Sequence, residues 1–185
     1  MSISVSIANK SQRKRFFRAD ELERLADKIC RHEGITARAE ISLYFCDDEE
    51  IAALNKSYRR AKGPTDVLTF GQFSGAETGK SLAPSVLKRI NRSTNLVSLG
   101  DIIISLETVE RAFEGARTND RRKHIKLLVC HGLLHLLGYV HASAADRAVM
   151  TDKQALYLVI PREEAWIDHS TSGSPKRGHA KEASI

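Results

Sequence analysis

Between Leu127 and Leu137 the chain is apolar at nearly every position, with His131 and His135 as the two strongly polar exceptions. A helix apolar on all sides has no face to give to water and must lie at the centre of a fold. The pattern predicts a long helix from about Asp120 to Leu137, ended by Gly138, which can take the left-handed conformation that closes a helix. Four residues on a helix return to nearly the same face, so the two imidazoles stand one turn apart on one side. A single buried histidine is most simply bonded to its neighbours. Two at this spacing can reach one ion, and His141, just past the glycine turn, can supply a third nitrogen. One shared ion would satisfy three buried polar rings together. Three protein ligands with one position left open is the pattern of a catalytic zinc site. His32, His124, His169 and His179 have no such company and read as surface residues.

The residue after His131 is Gly132. A zinc peptidase helix carries a glutamate there to take the proton of the attacking water. A zincin-like peptidase is therefore disfavoured, and another base or the substrate itself must take that proton.

The remaining elements follow from periodicity. Ile3, Val5 and Ile7 alternate as a strand, and so do Ile41, Leu43 and Phe45. Asp20 with Glu23, and Asp47 with Glu50, have the spacing of capping boxes opening two helices. Leu22, Leu25, Ala26, Ile29 and Cys30 form the stripe of the first, which Gly34 stops. Val67–Phe70 reads as a short strand and Ile102–Ile104 as one buried on both faces. Residues 71–98 are irregular, with a helix expected over Leu82–Ile90. Ser105 caps a helix bearing Leu106, Val109, Ala112 and Phe113, and Ser143 with Asp146 opens a last one closed by Pro161. The expected fold is α+β, a small mixed sheet packed with about five helices around the central metal-binding helix. Residues 1–169 are expected to form one domain, and 170–185 lack periodicity and read as a disordered basic tail.

The chain of 185 residues is 42% hydrophobic and 28% charged, as in a soluble globular protein. No apolar run approaches the ~20 residues of a membrane helix. No apolar stretch follows Arg13, Lys14, Arg15 and Arg18, so no signal peptide is expected. Three cysteines without CxxC spacing argue against a disulfide framework and for a reducing compartment. A net charge of +6 favours a polyanionic partner, nucleic acid ahead of a membrane surface.

A second constellation runs from Leu54 to Phe70. Arg59, Arg60 and Lys62 precede Pro64-Thr65-Asp66. They are either a solvated helix end or a phosphate clamp, since guanidinium donors match phosphate oxygens two at a time. Asp66 reads most simply as a turn residue.

Three segments carry a family resemblance. His131–His141 resembles the YbeY signature HGxLHLxGYDH, with Val140 in place of the aspartate. Pro64–Phe70 is similar to the family's PTDVLSF, with Thr69 for serine, and Leu99–Ser105 to its LGDIxIS strand. The resemblance implies a zincin-like fold and a bacterial or organellar endoribonuclease that cuts single-stranded RNA. It further implies a role in 16S ribosomal RNA 3′-end maturation with the small ribosomal subunit, in the cytoplasm of a bacterium or in an organelle. It places one Zn2+ on His131, His135 and His141 and the functional arginine at Arg59. Arg60, Lys62 and the Arg121–Lys126 helix start are expected to hold the RNA backbone. A non-catalytic ribosome assembly factor with a structural zinc is the alternative. Val140 can neither orient a ligand ring nor move a proton, so either another acid substitutes, with Asp101 as candidate although it reads most simply as a turn or cap residue, or the enzyme is slow.

Overall fold

The computed structural model describes residues 3–13, 16–73 and 84–166. Four strands, β1 (Ile3–Asn9), β2 (Ala39–Cys46), β3 (Val67–Gly71) and β4 (Val97–Ser105), form one sheet in the order β1-β2-β4-β3. β1, β2 and β4 run parallel, and the edge strand β3 lies antiparallel to β4. The helices are α1 (Ala19–His32), α2 (Asp48–Arg59), α3 (Pro84–Arg92), α4 (Leu106–Ala112), α5 (Thr118–Leu136) and α6 (Ala144–Leu158), followed by a 3-10 turn at Arg162–Glu164. Among the described residues there are six α-helices where about five are expected, with Pro84–Arg92 overlapping the helix expected over Leu82–Ile90. Residues 82–83 of the segment expected to be helical, and the tail expected over 170–185, lie outside the described residues. Among the described residues no helix is long and apolar enough to cross a membrane.

The stripe expected on α1 is the one it buries: Leu22, Leu25, Ala26, Ile29 and Cys30. Its start differs. Arg18 is the N-cap, and the Asp20 carboxylate accepts from Arg24 and Arg18, so the expected capping box does not form. At α2 Asp47 is the N-cap residue, but its carboxylate turns to Ser11 and to the Gln12 amide, and Glu50 accepts from Tyr44. Both helices begin where charge spacing suggests, while nearby donors outcompete the local cap. Ser105 and Ser143 do cap α4 and α6, the latter with a complete capping box through Asp146. All three cysteines are buried and free.

The sheet separates two apolar layers. Ile51 of α2 packs with Leu68, Ile103 and Cys46 on one face. The larger core lies on the other, where α5 crosses β3 and β4 with Val67, Ile102 and Ile104 beneath it. Gly132 lies in the seam between helix and sheet. A Cβ there would stand 2.8 Å from Ile102 Cγ2 and 3.1 Å from Thr69 Cγ2. The absent peptidase glutamate thus has a packing reason, since any side chain at this position would enter the helix–sheet seam. Gly100 has a similar role in the strand. Its φ is +132°, and a Cβ would lie 2.2 Å from the Phe70 carbonyl oxygen, so only glycine lets β3 close onto β4 here.

Candidate metal centre

Helix α5 ends just beyond its two histidines, and the manner of its ending delivers the third. Gly138 has φ +89° and donates to the His135 carbonyl, while the Tyr139 amide donates to the Leu134 carbonyl. This paired closure is a Schellman motif, and it reverses the chain within two residues. His141 is thereby returned to the face that carries His131 and His135. One potential ligand atom from each ring lies within 4.8 Å of the others. Ring centroids are 4.6 Å apart for His131 and His135, 5.0 Å for His135 and His141, and 5.4 Å for His131 and His141. His131 is buried, and the other two rings are half-buried.

The hydrogen bonds behind the rings decide which nitrogens face the centre. His135 Nδ1 lies 2.9 Å from the Tyr139 carbonyl oxygen. A carbonyl only accepts, so Nδ1 carries the hydrogen, and in the neutral ring Nε2 keeps its lone pair. His131 Nδ1 lies 2.8 Å from Gln154 Oε1. The Gln154 amide nitrogen donates to the Ala165 carbonyl, which forces the amide oxygen toward His131 and again places the hydrogen on Nδ1. The two Nε2 atoms therefore present lone pairs to each other across 3.0 Å. Between neutral rings such an arrangement is repulsive unless a metal ion or a shared proton lies between them. The donor set fits a borderline-soft divalent ion such as zinc, which takes neutral imidazole nitrogens backed by second hydrogen bonds.

Gln154 and Tyr139 escaped the sequence reading. Gln154 is fully buried on α6 among Met150 and Tyr157, at the same helical spacing as that apolar stripe. A lone amide on such a stripe is the signal that would have pointed to it. Tyr139 is held three times over, by its amide, its carbonyl and its hydroxyl. The hydroxyl donates to Glu33, which also accepts from Lys153 at 2.7 Å and from Tyr157. Burial pushes the Glu33 carboxyl up, but the donors Lys153, Tyr157 and Tyr139 together hold it below the usual glutamate range. Burial first, and then the bond to Glu33, raise the Tyr139 hydroxyl. The buried Cys130 thiol beside His131 is pushed up strongly by burial and does not offer a thiolate near neutral pH.

The other expected site residues are arranged differently. Arg59 ends α2, and Arg60 follows in the left-handed conformation with φ 55°. The turn is closed by Asn55 Nδ2 donating to the Gly63 carbonyl. Arg59, Arg60 and Lys62 are exposed and enter none of the ion pairs among the described residues. Tyr58, beside Arg59, meets Phe70 of the edge strand edge-on at 4.9 Å. This contact anchors the end of α2 at the edge strand β3, and the clamp candidates follow it at that edge of the sheet. Two cations of the Arg121–Lys126 segment have partners within the fold. Arg121 donates to the Phe113 carbonyl and lies over Phe16, and Lys126 pairs with Glu21 at 2.7 Å. Asp101 is not the substitute acid. It is a mid-strand residue of β4 paired with Phe70, and this pair faces away from α5 while Thr69 and Ile102 face it.

A mixed sheet crossed by a buried helix that presents two histidines, with a third returned by its closing turn, defines an α+β protein with a candidate metal centre. Comparison narrows this to one family. The family described as Endoribonuclease YbeY matches residues 6–159. Endoribonuclease YbeY of Pelotomaculum thermopropionicum is 37% identical over 133 residues, covering 72% of this chain and 79% of that protein. The Agathobacter rectalis relative of the same name is 39% identical over 130 residues, covering 69% and 78%. A solution structure of a Thermotoga maritima protein, 24% identical, has the same fold with a TM-score of 0.50, covering 88% of this chain and 89% of that one. The chain belongs to the YbeY endoribonuclease family.

Proposed function

We propose that this protein is a zinc-dependent endoribonuclease that cuts single-stranded RNA and acts in 16S ribosomal RNA 3′-end maturation on the small ribosomal subunit, in the cytoplasm of a bacterium. The observation that carries the metal part is the pair of Nε2 lone pairs facing across 3.0 Å with His141 beside them. His131, His135 and His141 would hold one zinc ion, and the ion would supply Lewis acidity to a phosphodiester. The relatives' name supports RNA as the substrate.

The chain's own residues divide the remaining work. Gln154 and the Tyr139 carbonyl hold the two helical imidazoles in the tautomer that leaves Nε2 available. Arg59 offsets the charge that builds on the phosphoryl oxygens in the transition state. Arg60 and Lys62 hold the flanking backbone by charge, without reading bases. With Val140 before the third ligand and Gly132 in the helix–sheet seam, neither position offers a carboxylate. Proton transfer then falls to solvent or to the substrate phosphate.

The second reading, an assembly factor with a structural zinc, predicts a fourth protein ligand. Among the described residues the ligand group holds three histidines and no carboxylate or thiolate, which favours an open position and hence catalysis. The deciding experiment gives the purified protein single-stranded RNA and casein side by side, with chelator, without it, and after zinc is restored. RNA cleavage abolished by chelator and recovered with zinc supports the proposal. Metal-independent cleavage, or cleavage of casein alone, refutes it.

A further inference from the structure

Beside the three histidines lies an aromatic residue that no step above uses. Trp166 is the sole tryptophan of the chain. Its ring centroid is 5.6 Å from that of His141 and 6.4 Å from that of His131, with interplanar angles of 86° and 78°. The placement is built in. Ala165, immediately before it, is fully buried, and its carbonyl accepts from the same Gln154 amide that faces His131. One buried side chain thus sets both a candidate ligand and the backbone that carries the indole. Trp166 is half-buried, so the residue is not sealed within the core. Arg147 of α6, exposed and in no ion pair among the described residues, lays its guanidinium 4.9 Å from the ring centroid.

A tryptophan kept only as apolar filling would be covered by apolar neighbours. This one is flanked by imidazoles and a guanidinium at the rim of a candidate catalytic centre. Unpaired bases are held on aromatic rings and on arginine planes, and every base has a face to stack, so such a platform accepts any sequence but requires a splayed, single-stranded nucleotide. We infer that Trp166 and Arg147 form a stacking subsite for an unpaired nucleobase next to the scissile phosphate. The base joins the Trp166–Arg147 layer, and Arg147 also meets the adjoining phosphate. This subsite, and not the metal, selects single strands, because a paired base cannot leave its helix to reach the indole. The inference rests on the ribonuclease reading above.

The test uses the zinc-loaded full chain and a cleavage-resistant 2′-O-methyl RNA hexanucleotide carrying a red dye at its 5′ end. Dye anisotropy reports binding, and emission of the sole tryptophan reports stacking. The expected result is saturable quenching of tryptophan emission with the same midpoint as the anisotropy change. A hexamer of the same backbone without bases binds roughly tenfold more weakly and leaves the emission unchanged. Trp166→Phe binds within a few-fold of the original protein, and Trp166→Ala loses roughly tenfold while its zinc content stays the same. On a cleavable single strand the Trp166→Ala loss falls on KM rather than kcat. Binding of the hexamer with no change in tryptophan emission, or equal binding of the hexamer without bases, overturns the subsite while leaving the ribonuclease reading intact. Failure of the hexamer to bind at all overturns both.

Discussion

Gln154 Oε1 lies 2.8 Å from His131 Nδ1, and the nitrogen of the same amide donates to the Ala165 carbonyl. Because the amide is used at both ends it cannot flip, and the proton on His131 is fixed to the nitrogen that faces away from the centre. Gln154→Leu removes the acceptor without adding bulk and should weaken zinc binding roughly 10–100-fold. Gln154→Glu restores an acceptor and should recover most of that loss, which a merely space-filling role would not do. Chelator competition measures both. Unchanged affinity in Gln154→Leu would show that the ring needs no such partner.

Arg59 stands exposed at the end of α2, beside the edge strand and outside every ion pair among the described residues. Arg59→Glu should abolish RNA cleavage while leaving zinc content and Tm nearly unchanged, since it breaks no ion pair among the described residues. Retained cleavage would return Arg59 to the status of a solvated helix end.

Val140 is half-buried between Tyr139 and His141. Asp101, the candidate substitute acid, faces the other side of the sheet, so nothing at that strand compensates for the missing carboxylate. Val140→Asp should raise turnover on single-stranded RNA or zinc affinity by up to roughly tenfold, at little cost in stability at this partly exposed position. Equal turnover and equal affinity in the two proteins would mean that this difference from the signature is silent.

How much could be read from the chain depended on the range of the interaction. The α5 histidines, the Gly138 turn and the α1 stripe are set by spacing within one element, and all three stand where periodicity places them. Gln154, Glu33 and Trp166 act across elements. Gln154 is 23 residues from His131, and Glu33 is 106 from Tyr139, so no local pattern joins them. The capping boxes at Asp20 and Asp47 went astray for the same reason. Their carboxylates found donors other than their own helix amides, and in the case of Asp47 those donors came from Ser11 and Gln12, more than thirty residues away. Gly132 shows the converse, because its meaning for packing appears only once Ile102 and Thr69 are seen beneath it.

Glu33 makes the fold sensitive to acid. Its carboxyl is held below the usual range in the folded protein, so the folded state releases this proton more readily than the unfolded state does. That stabilisation is fully present above the unfolded value of about 4.5 and is lost as pH falls through the lower folded value. Lys153 and Tyr157 shift the other way, so their contribution is lost as pH rises above about 10. Glu33→Gln should lower stability by roughly 2–3 kcal/mol at neutral pH and flatten the acid limb of the stability profile. Urea unfolding from pH 3 to 8 measures it. An unchanged acid limb in the variant would show that Glu33 contributes nothing to the pH dependence.

The central claim, that His131, His135 and His141 hold one ion, is tested most directly by elemental analysis of protein purified without chelator, beside His135→Ala prepared in the same way. The account predicts about one zinc per chain in the original protein and loss of most of it in the variant, with the fold retained by circular dichroism. A metal-free original protein, or a variant that keeps its full zinc, would contradict it.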